Sequence, residues 1–77
     1  MYYVYVIKSA KTGEYYKGIT DNLKRRVSEH NSDKNTSTKG KGPWTLVYSE
    51  ECENRVEARK KEKYFKSGFG RELIKNL

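Results

Sequence analysis

Residues 2–8 read Tyr2-Tyr3-Val4-Tyr5-Val6-Ile7-Lys8, a run that is almost wholly aromatic or β-branched. Such a run favours a β-strand, and its lack of polar positions predicts a strand buried on both faces. Because side chains alternate along a strand, those of the odd-numbered residues, Tyr5 among them, point to one face and those of the even-numbered residues to the other. We expect the rest of the chain to pack around this strand.

A second strand is predicted close behind the first. Lys11-Thr12-Gly13-Glu14 is a turn signal, in which Gly13 can adopt a positive φ. Residues 14–19 are strand-like, so residues 2–19 are expected to form a hairpin.

A helix is predicted from about residue 22 to residue 31, with a cap among Thr20-Asp21-Asn22. Leu23, Val27 and His30 lie at i, i+4 and i+7, so the apolar face of this helix ends in an imidazole. Arg26 lies at the edge of the same face.

The second half of the chain predicts one strand and two helices. Residues 32–43 read as a flexible basic loop, and residues 44–49 as a third strand. A helix over 55–66, stopped at Ser67-Gly68, precedes a short helix over 70–77. The predicted order is therefore β-β-α-β-α-α, within a single domain spanning residues 1–77.

Charge favours a polyanionic partner. The chain has 17 Lys and Arg against 10 Asp and Glu, a formal charge of +7 and a pI of about 9.6. Basic side chains bind nucleic acid by releasing its counterions, whereas the plainer interpretation of the charge is solubility alone.

The remaining composition narrows the class of protein. A single cysteine, Cys52, excludes an intramolecular disulfide and any zinc site built from several cysteines. No apolar run is long enough for a transmembrane helix, and residues 1–8 are too short and too rich in tyrosine for a signal peptide. We therefore expect a cytoplasmic protein without a membrane partner, and assume a monomer.

Side chains suited to phosphodiester chemistry cluster in the first part of the sequence. They and their neighbours are Tyr3-Val4-Tyr5, Tyr16-Lys17-Gly18-Ile19-Thr20, Asp21, Leu23, Arg25-Arg26 and Glu29-His30-Asn31. Their order and spacing resemble the GIY-YIG nuclease superfamily, particularly its small stand-alone bacterial members. The first motif is degenerate at its first two positions and the second at its middle position, and the resemblance covers essentially the whole chain.

The resemblance implies an α/β (α+β) fold with a three-stranded antiparallel sheet flanked by helices. It also implies hydrolysis of a phosphodiester with one divalent metal ion, Mg²⁺ or Mn²⁺. Carried over by position, the site consists of Tyr5 and Tyr16 as the motif tyrosines, Arg26 as the catalytic arginine, His30 as the helix histidine, and Glu62 as the metal carboxylate. Asn76 matches a late asparagine near the phosphate.

These residue types suit the implied chemistry. A carboxylate binds a hard cation that keeps most of its waters, and a guanidinium forks onto a phosphate with a geometry that lysine lacks. Tyr16 is a candidate general base, because nearby cations favour tyrosinate. Tyr5 would orient water or phosphate, and His30 would move a proton or hydrogen-bond Tyr5.

Further cations are candidates for nucleic-acid binding. They are Lys17, Arg25, Lys39 and Lys41, and the last two lie in a glycine-rich loop that suits phosphate contacts rather than base reading.

The position of Glu62 leaves two alternatives. On the helix predicted over 55–66 it falls on the most apolar stripe, which is unusual for a carboxylate. Periodicity equally allows a stripe made of Val56 and Tyr64, which would leave Glu62 exposed and paired with Lys66.

Two departures from the family pattern bear on the general base. Some nuclease members have a lysine directly after the motif glycine, where this chain has Ile19, and others have a second histidine in the loop that corresponds to residues 32–43, which contain none.

Three functions are consistent with the sequence. The favoured one is a metal-dependent endonuclease or nickase that acts on DNA with little sequence preference, with repair or recombination as its setting by analogy. The alternative is a non-catalytic nucleic-acid-binding module that keeps the nuclease fold. A third is a protein-interaction module whose tyrosines pack into a dimer face.

Overall fold

A computed structural model describes residues 1–32, 34 and 38–75 of the chain. Three strands and three helices follow one another in the predicted order β-β-α-β-α-α. They are β1 (Tyr2–Ser9), β2 (Tyr15–Thr20), α1 (Leu23–Asn31), β3 (Trp44–Cys52), α2 (Arg55–Lys66) and α3 (Gly68–Lys75).

The three strands form one antiparallel sheet in the order β2-β1-β3. The hairpin pairs Tyr5 with Gly18, and on its other side Tyr5 pairs with Ser49. A register shift between Val6 and Ile7 marks a bulge in the pairing of β1 with β3. Because β1 is the central strand, it forms hydrogen bonds with a neighbouring strand along both edges. Both its faces are covered, as its apolar sequence predicts.

The sheet separates two apolar clusters. On one face, Val4 and Val6 pack with Ala58 and Phe65 of α2 and with Ile74 of α3. The two valines are fully buried, as is Ala58.

On the opposite face, Tyr5 and Ile7 pack with Trp44, and the half-buried Leu23 and Val27 of α1 close the cluster. The predicted alternation of β1 side chains between two faces is therefore confirmed. Tyr5 and the apolar stripe of α1 lie on the same face of the sheet, so this arrangement places the phenol against the helix that carries His30.

Both α1 and α2 are capped at their starts by an asparagine, and for α1 this confirms the predicted cap. The side chain of Asn22 accepts a hydrogen bond from the Arg25 N–H, and that of Asn54 accepts one from the Glu57 N–H. Each satisfies a donor that a helix start leaves without a partner inside the helix.

Two boundaries of the described elements differ by more than one residue from those predicted. β3 continues to Cys52 rather than ending at residue 49, because its polar end pairs with Tyr2 and Tyr3 of the central strand. α3 begins at Gly68 rather than residue 70, because the Ser67 hydroxyl accepts a hydrogen bond from the Gly70 N–H at 3.3 Å and caps the helix.

The predicted loop at residues 32–43 is confirmed for its described second half, which is anchored to the sheet. Thr38 is fully buried. The hydroxyl of the buried Ser9 donates to the Lys41 carbonyl at 2.5 Å and accepts from the N–H groups of Lys11 and Thr12. Buried polar groups need such partners, and here they hold the loop against the end of β1.

None of the helices in the described part of the chain is long and apolar enough to cross a membrane.

Close packing of α3 on α2 depends on Gly70. A Cβ atom at this position would lie 2.1 Å from the Tyr64 carbonyl oxygen and 2.4 Å from the Phe65 Cα. We therefore expect Gly70→Ala to lower the free energy of unfolding by about 1–3 kcal/mol, because backbone cannot yield as a side chain can. Urea denaturation followed by circular dichroism measures it.

The matched control is Gly68→Ala, whose Cβ would meet nothing within 4 Å. Its effect should stay below about 1 kcal/mol in size. Equal losses from the two variants would contradict the close approach of the helices.

Candidate active site

The site is built around the Tyr5 hydroxyl, which reaches the edge strand β2 at Gly18. A Cβ atom at Gly18 would lie 2.6 Å from Tyr5 Oη and 2.8 Å from its Cζ. Any side chain here would therefore collide with the phenol, which is 1% exposed. This contact is a physical reason for the glycine in Tyr16-Lys17-Gly18.

A chain of hydrogen-bonding side chains runs from the surface into the core. Arg26 Nε donates to Tyr5 Oη at 3.3 Å, Tyr5 Oη lies 2.9 Å from His30 Nε2, and His30 Nδ1 lies 2.8 Å from Thr38 Oγ1. Three sequence-predicted residues, Tyr5, Arg26 and His30, therefore meet in one network, because α1 presents Arg26 and His30 at i and i+4 toward the sheet.

Thr38 is a member of this network that the sequence did not reveal. It stands in a polar stretch of serine, threonine and lysine, where nothing distinguishes it from its neighbours. Only the path of the loop after α1 brings its hydroxyl to the imidazole.

Tyr16 adds its ring to the same cluster. It is half-buried, and its ring centroid lies 4.9 Å from that of His30 and 6.4 Å from that of Tyr5. The two motif tyrosines therefore face the same imidazole. Since Tyr5 is buried inside the chain, its ring is not available for the dimer face considered above.

Arg26 is held at both ends of its guanidinium. Besides Tyr5, it contacts Glu29, with 3.2 Å between Nη1 and Oε1, and its side chain is 31% exposed. Glu29 is half-buried at this pair. The guanidinium can thus reach a bound phosphate while its plane stays fixed.

Glu62 combines features of the two alternatives. Ala58 and Phe65 are buried, whereas Val56 and Tyr64 are 64% and 48% exposed, so the stripe containing Glu62 is the one that packs and the Val56–Tyr64 stripe is wrong. Its side chain is only 14% exposed.

The same carboxylate is nevertheless paired with cations. Oε2 lies 3.6 Å from Lys66 Nζ, and Oε1 lies 3.9 Å from Arg59 Nε. The Lys66 pair expected from the second alternative is therefore present on a largely buried acid.

Electrostatics couple these groups. Burial raises the pKa of the Tyr5 phenol, the Arg26 hydrogen bond and charge oppose the shift, and Tyr16 and Glu62 add to it. The phenol therefore keeps its proton at neutral pH.

The donor set fits a hard cation held by few protein ligands. No group of three or more His, Cys, Asp or Glu side chains able to bind a metal occurs among residues 1–32, 34 and 38–75. Mg²⁺ commonly binds one or two carboxylates and keeps several waters, so Glu62 alone can supply its protein ligand.

Basic side chains line clefts at both ends of β2. One cleft, of about 770 Å³, is lined by Lys17 and Lys41 together with Arg71 and Lys75 of α3. Burial, with the nearby charges of Arg71 and Lys66, lowers the pKa of Lys17, so these cations lie close together.

The second cleft, of about 270 Å³, contains three arginines, Arg25, Arg26 and Arg55. Arg71, Lys75 and Arg55 were not singled out from the sequence, since nothing in their spacing distinguishes them from other surface cations. Lys39 is exposed and lines neither cleft. Asn76 lies outside the described residues.

Comparison with known proteins decides the family. A model of the GIY-YIG catalytic domain matches residues 1–75. The chain belongs to the GIY-YIG family. GIY-YIG domains form a nuclease superfamily, which implies a nucleic-acid substrate and, in general, dependence on a divalent metal.

Relatives of this GIY-YIG chain carry the name UPF0213. One from Clostridium perfringens (strain 13 / Type A) is 43% identical over 67 residues, which cover 86% of this chain and 71% of that protein. One from Desulfotalea psychrophila is 43% identical over 63 residues, which cover 79% of this chain and 56% of that protein. The chain thus spans little more than half of the latter relative.

A solved GIY-YIG relative has the same fold. The solution NMR structure of the UPF0213 protein BH0048 from Bacillus halodurans matches with a TM-score of 0.58 and 33% identity, covering 100% of this chain and 85% of that one. The three-stranded sheet with its flanking helices is therefore a shared GIY-YIG architecture.

The imidazole environment gives a pH prediction. Burial, and next the charge of Arg26, lowers the pKa of His30 below its ordinary value of 6.5. Because His30 is the one histidine of the chain, its imidazole proton NMR signals can be titrated without overlap. We expect the folded protein to titrate with a midpoint below 6.5.

The same shift affects stability. Below pH 6.5 the unfolded chain binds a proton at His30 that the folded chain does not. The free energy of unfolding therefore decreases as the pH is lowered from 6.5, until the pKa of His30 in the folded protein is reached. His30→Gln should remove this part of the slope. A midpoint at or above 6.5 would contradict the buried, neutral imidazole.

Proposed function

We propose that this chain is a divalent-metal-dependent endonuclease or nickase that hydrolyses DNA phosphodiester bonds with little sequence specificity. The observation that carries the proposal is the network of Arg26, Tyr5 and His30, together with the largely buried carboxylate of Glu62 on α2. Ionisable groups whose pKa values are shifted by burial and by a charged partner, as those of Tyr5 and His30 are, cluster at functional sites. A setting in DNA repair or recombination follows from analogy to the fold family alone.

Glu62 is the proposed metal ligand, with Mg²⁺ or Mn²⁺ as the ion. When bound, the metal would polarise a phosphoryl oxygen and offset charge that develops on the phosphate. Both carboxylate oxygens face cations, Arg59 and Lys66. A bound metal ion would compete with these cations for the carboxylate, and DNA phosphates are suitable new partners for a displaced cation.

Arg26 is the proposed phosphate-binding group. Its bonds to Tyr5 and Glu29 fix the guanidinium before substrate arrives. A charge held in place in this way stabilises a developing negative charge without reorganising during the reaction.

The two tyrosines take different roles. The raised pKa of Tyr5 keeps its hydroxyl protonated, so we assign it to orienting water or phosphate through hydrogen bonds. The proposed general base is Tyr16, which stands half-buried beside the His30 ring.

The basic clefts support DNA as the substrate. They lie toward opposite ends of β2, with Gly18 and the Tyr5 hydroxyl between them. We propose that one DNA strand follows this edge and places phosphates in both clefts. Cations contact the backbone rather than base edges, which accounts for the proposed lack of sequence preference.

Cutting of supercoiled plasmid by purified protein tests this proposal. We expect nicking in Mg²⁺ or Mn²⁺ but not in EDTA, and a loss of about 10²–10³-fold in rate for Glu62→Gln and for Arg26→Lys. Gel analysis of nicked product over time measures it.

Glu57→Gln is the matched control for Glu62, since Glu57 lies on the same helix, is 50% exposed and pairs with Lys60. It should nick at the wild-type rate. Equal activity in all variants would contradict the assigned site. Salt-sensitive plasmid binding without metal-dependent nicking would favour the non-catalytic binding module instead.

Salt dependence tests the two clefts separately. In EDTA, Arg71→Ala and Arg55→Ala should each reduce the slope of log K for duplex DNA against log salt by about 0.9, the value for one phosphate contact. Fluorescence anisotropy with a labelled duplex measures it. Lys24→Ala, an exposed cation of α1 that lines neither cleft, should leave the slope unchanged. Three identical slopes would contradict the proposed path of the strand.

A further inference from the structure

The imidazole of His30 has a hydroxyl at each nitrogen, and this arrangement indicates which nitrogen carries the proton. His30 is fully buried, with Tyr5 Oη 2.9 Å from Nε2 and Thr38 Oγ1 2.8 Å from Nδ1. A neutral imidazole has one N–H donor and one bare nitrogen acceptor. The tautomer therefore decides which hydroxyl donates and which accepts.

Arg26 settles the direction at Tyr5. A guanidinium can only donate, so Tyr5 Oη accepts a hydrogen bond from Arg26 Nε. The phenol still has its own proton to place, and it is 1% exposed. Within the described ranges, the hydrogen-bond acceptor at Tyr5 Oη is His30 Nε2. Tyr5 therefore donates to Nε2, which carries no proton.

The protonation of the other nitrogen, Nδ1, follows from the direction of the Tyr5 hydrogen bond. If Nε2 is bare, the proton of the neutral imidazole is on Nδ1, which then donates to Thr38 Oγ1. Burial favours the neutral imidazole over the charged one, in which both nitrogens would donate and Tyr5 would lose its acceptor.

We propose that Thr38 is a positioning residue that holds His30 in the Nδ1–H tautomer, and so makes Nε2 the acceptor of the Tyr5 hydroxyl proton. In this state the Tyr5 proton points inward, and the oxygen lone pairs face Arg26 and the Gly18 edge. The tautomer stands on geometry alone, whereas its consequence for catalysis rests on the nuclease function proposed above.

The surroundings of Thr38 suit this role. Its side chain is fully buried, and its carbonyl accepts hydrogen bonds from Trp44 Nε1 at 3.3 Å and from the Lys41 N–H at 3.2 Å.

Asn31 connects this loop to α1. It follows His30 directly, accepts from the Trp44 N–H at 2.6 Å and donates to the Trp44 carbonyl at 3.1 Å. Hydrogen bonds to the Thr38 carbonyl and to the Trp44 main chain therefore fix the distance between the His30 imidazole and the Thr38 hydroxyl.

Nitrogen NMR of the single imidazole tests the tautomer directly. In ¹⁵N-labelled wild-type protein at pH 7.5, we expect Nδ1 to show the shift of a protonated nitrogen and Nε2 that of a bare one. Thr38→Ser keeps the acceptor and should preserve this pattern. Thr38→Val removes it and should shift the equilibrium at least about tenfold toward the Nε2–H form.

Thr45→Val is the control, because Thr45 is exposed on β3 and should leave the pattern unchanged. A wild-type imidazole protonated on Nε2 would overturn the proposal, whether or not Thr38→Val folds. So would an unchanged tautomer in a folded Thr38→Val protein.

Plasmid nicking separates this inference from the proposed function. Thr38→Val should lower kcat about tenfold or more with little change in KM, and Thr38→Ser should restore it. Wild-type nicking with an unimpaired Thr38→Val would overturn the catalytic role of the tautomer. Absence of nicking in every protein, with the expected NMR pattern, would overturn the nuclease function and support the tautomer.

Discussion

A phenol buried on the face of a sheet must place its hydroxyl on hydrogen-bonding partners, and the structure around Tyr5 of the central strand meets this requirement. Its ring lies over Gly18, and its oxygen meets Arg26 and His30. The glycine provides space, and α1 supplies both partners from one face. If the contact with His30 were absent, the buried phenol would lose the acceptor of its proton, at a cost of about 1–3 kcal/mol. Fold stability and site geometry therefore depend on the same bonds.

The charged side chains are concentrated near the β2 edge of the sheet and around Glu62. A chain with a net charge of +7 places its cations around one largely buried acid, Glu62, and its arginines and lysines toward both ends of the same edge strand. Ion pairs hold the Glu62 carboxylate between Arg59 and Lys66. Such an arrangement is suited to a bound phosphodiester and a metal ion, both of which would replace existing partners of Glu62 and Lys66.

Much of the site was predictable because it is local in sequence. Tyr5 and Tyr16 lie on one hairpin, and Arg26 and His30 lie one helical turn apart directly after it, so strand alternation and helical periodicity bring them together. Glu62 was harder, since periodicity allowed a buried or an exposed stripe. The clusters formed by Ala58 and Phe65 with β1 decided in favour of the buried one. The longer β3 was missed because its polar end is an exposed edge, where pairing with β1 overrides composition.

The sequence by itself determined the order of strands and helices, the two-faced burial of β1 and the family, because these depend on side-chain types at short, regular spacing. Only the tertiary structure decided that Thr38 meets His30, that Arg55 and Arg71 flank the edge strand, and that Gly70 must lack a side chain. These contacts lie between secondary-structure elements rather than within one, and they depend on the path of a loop and on how closely two helices approach. Periodicity carries no information about either, since both result from packing of the whole molecule.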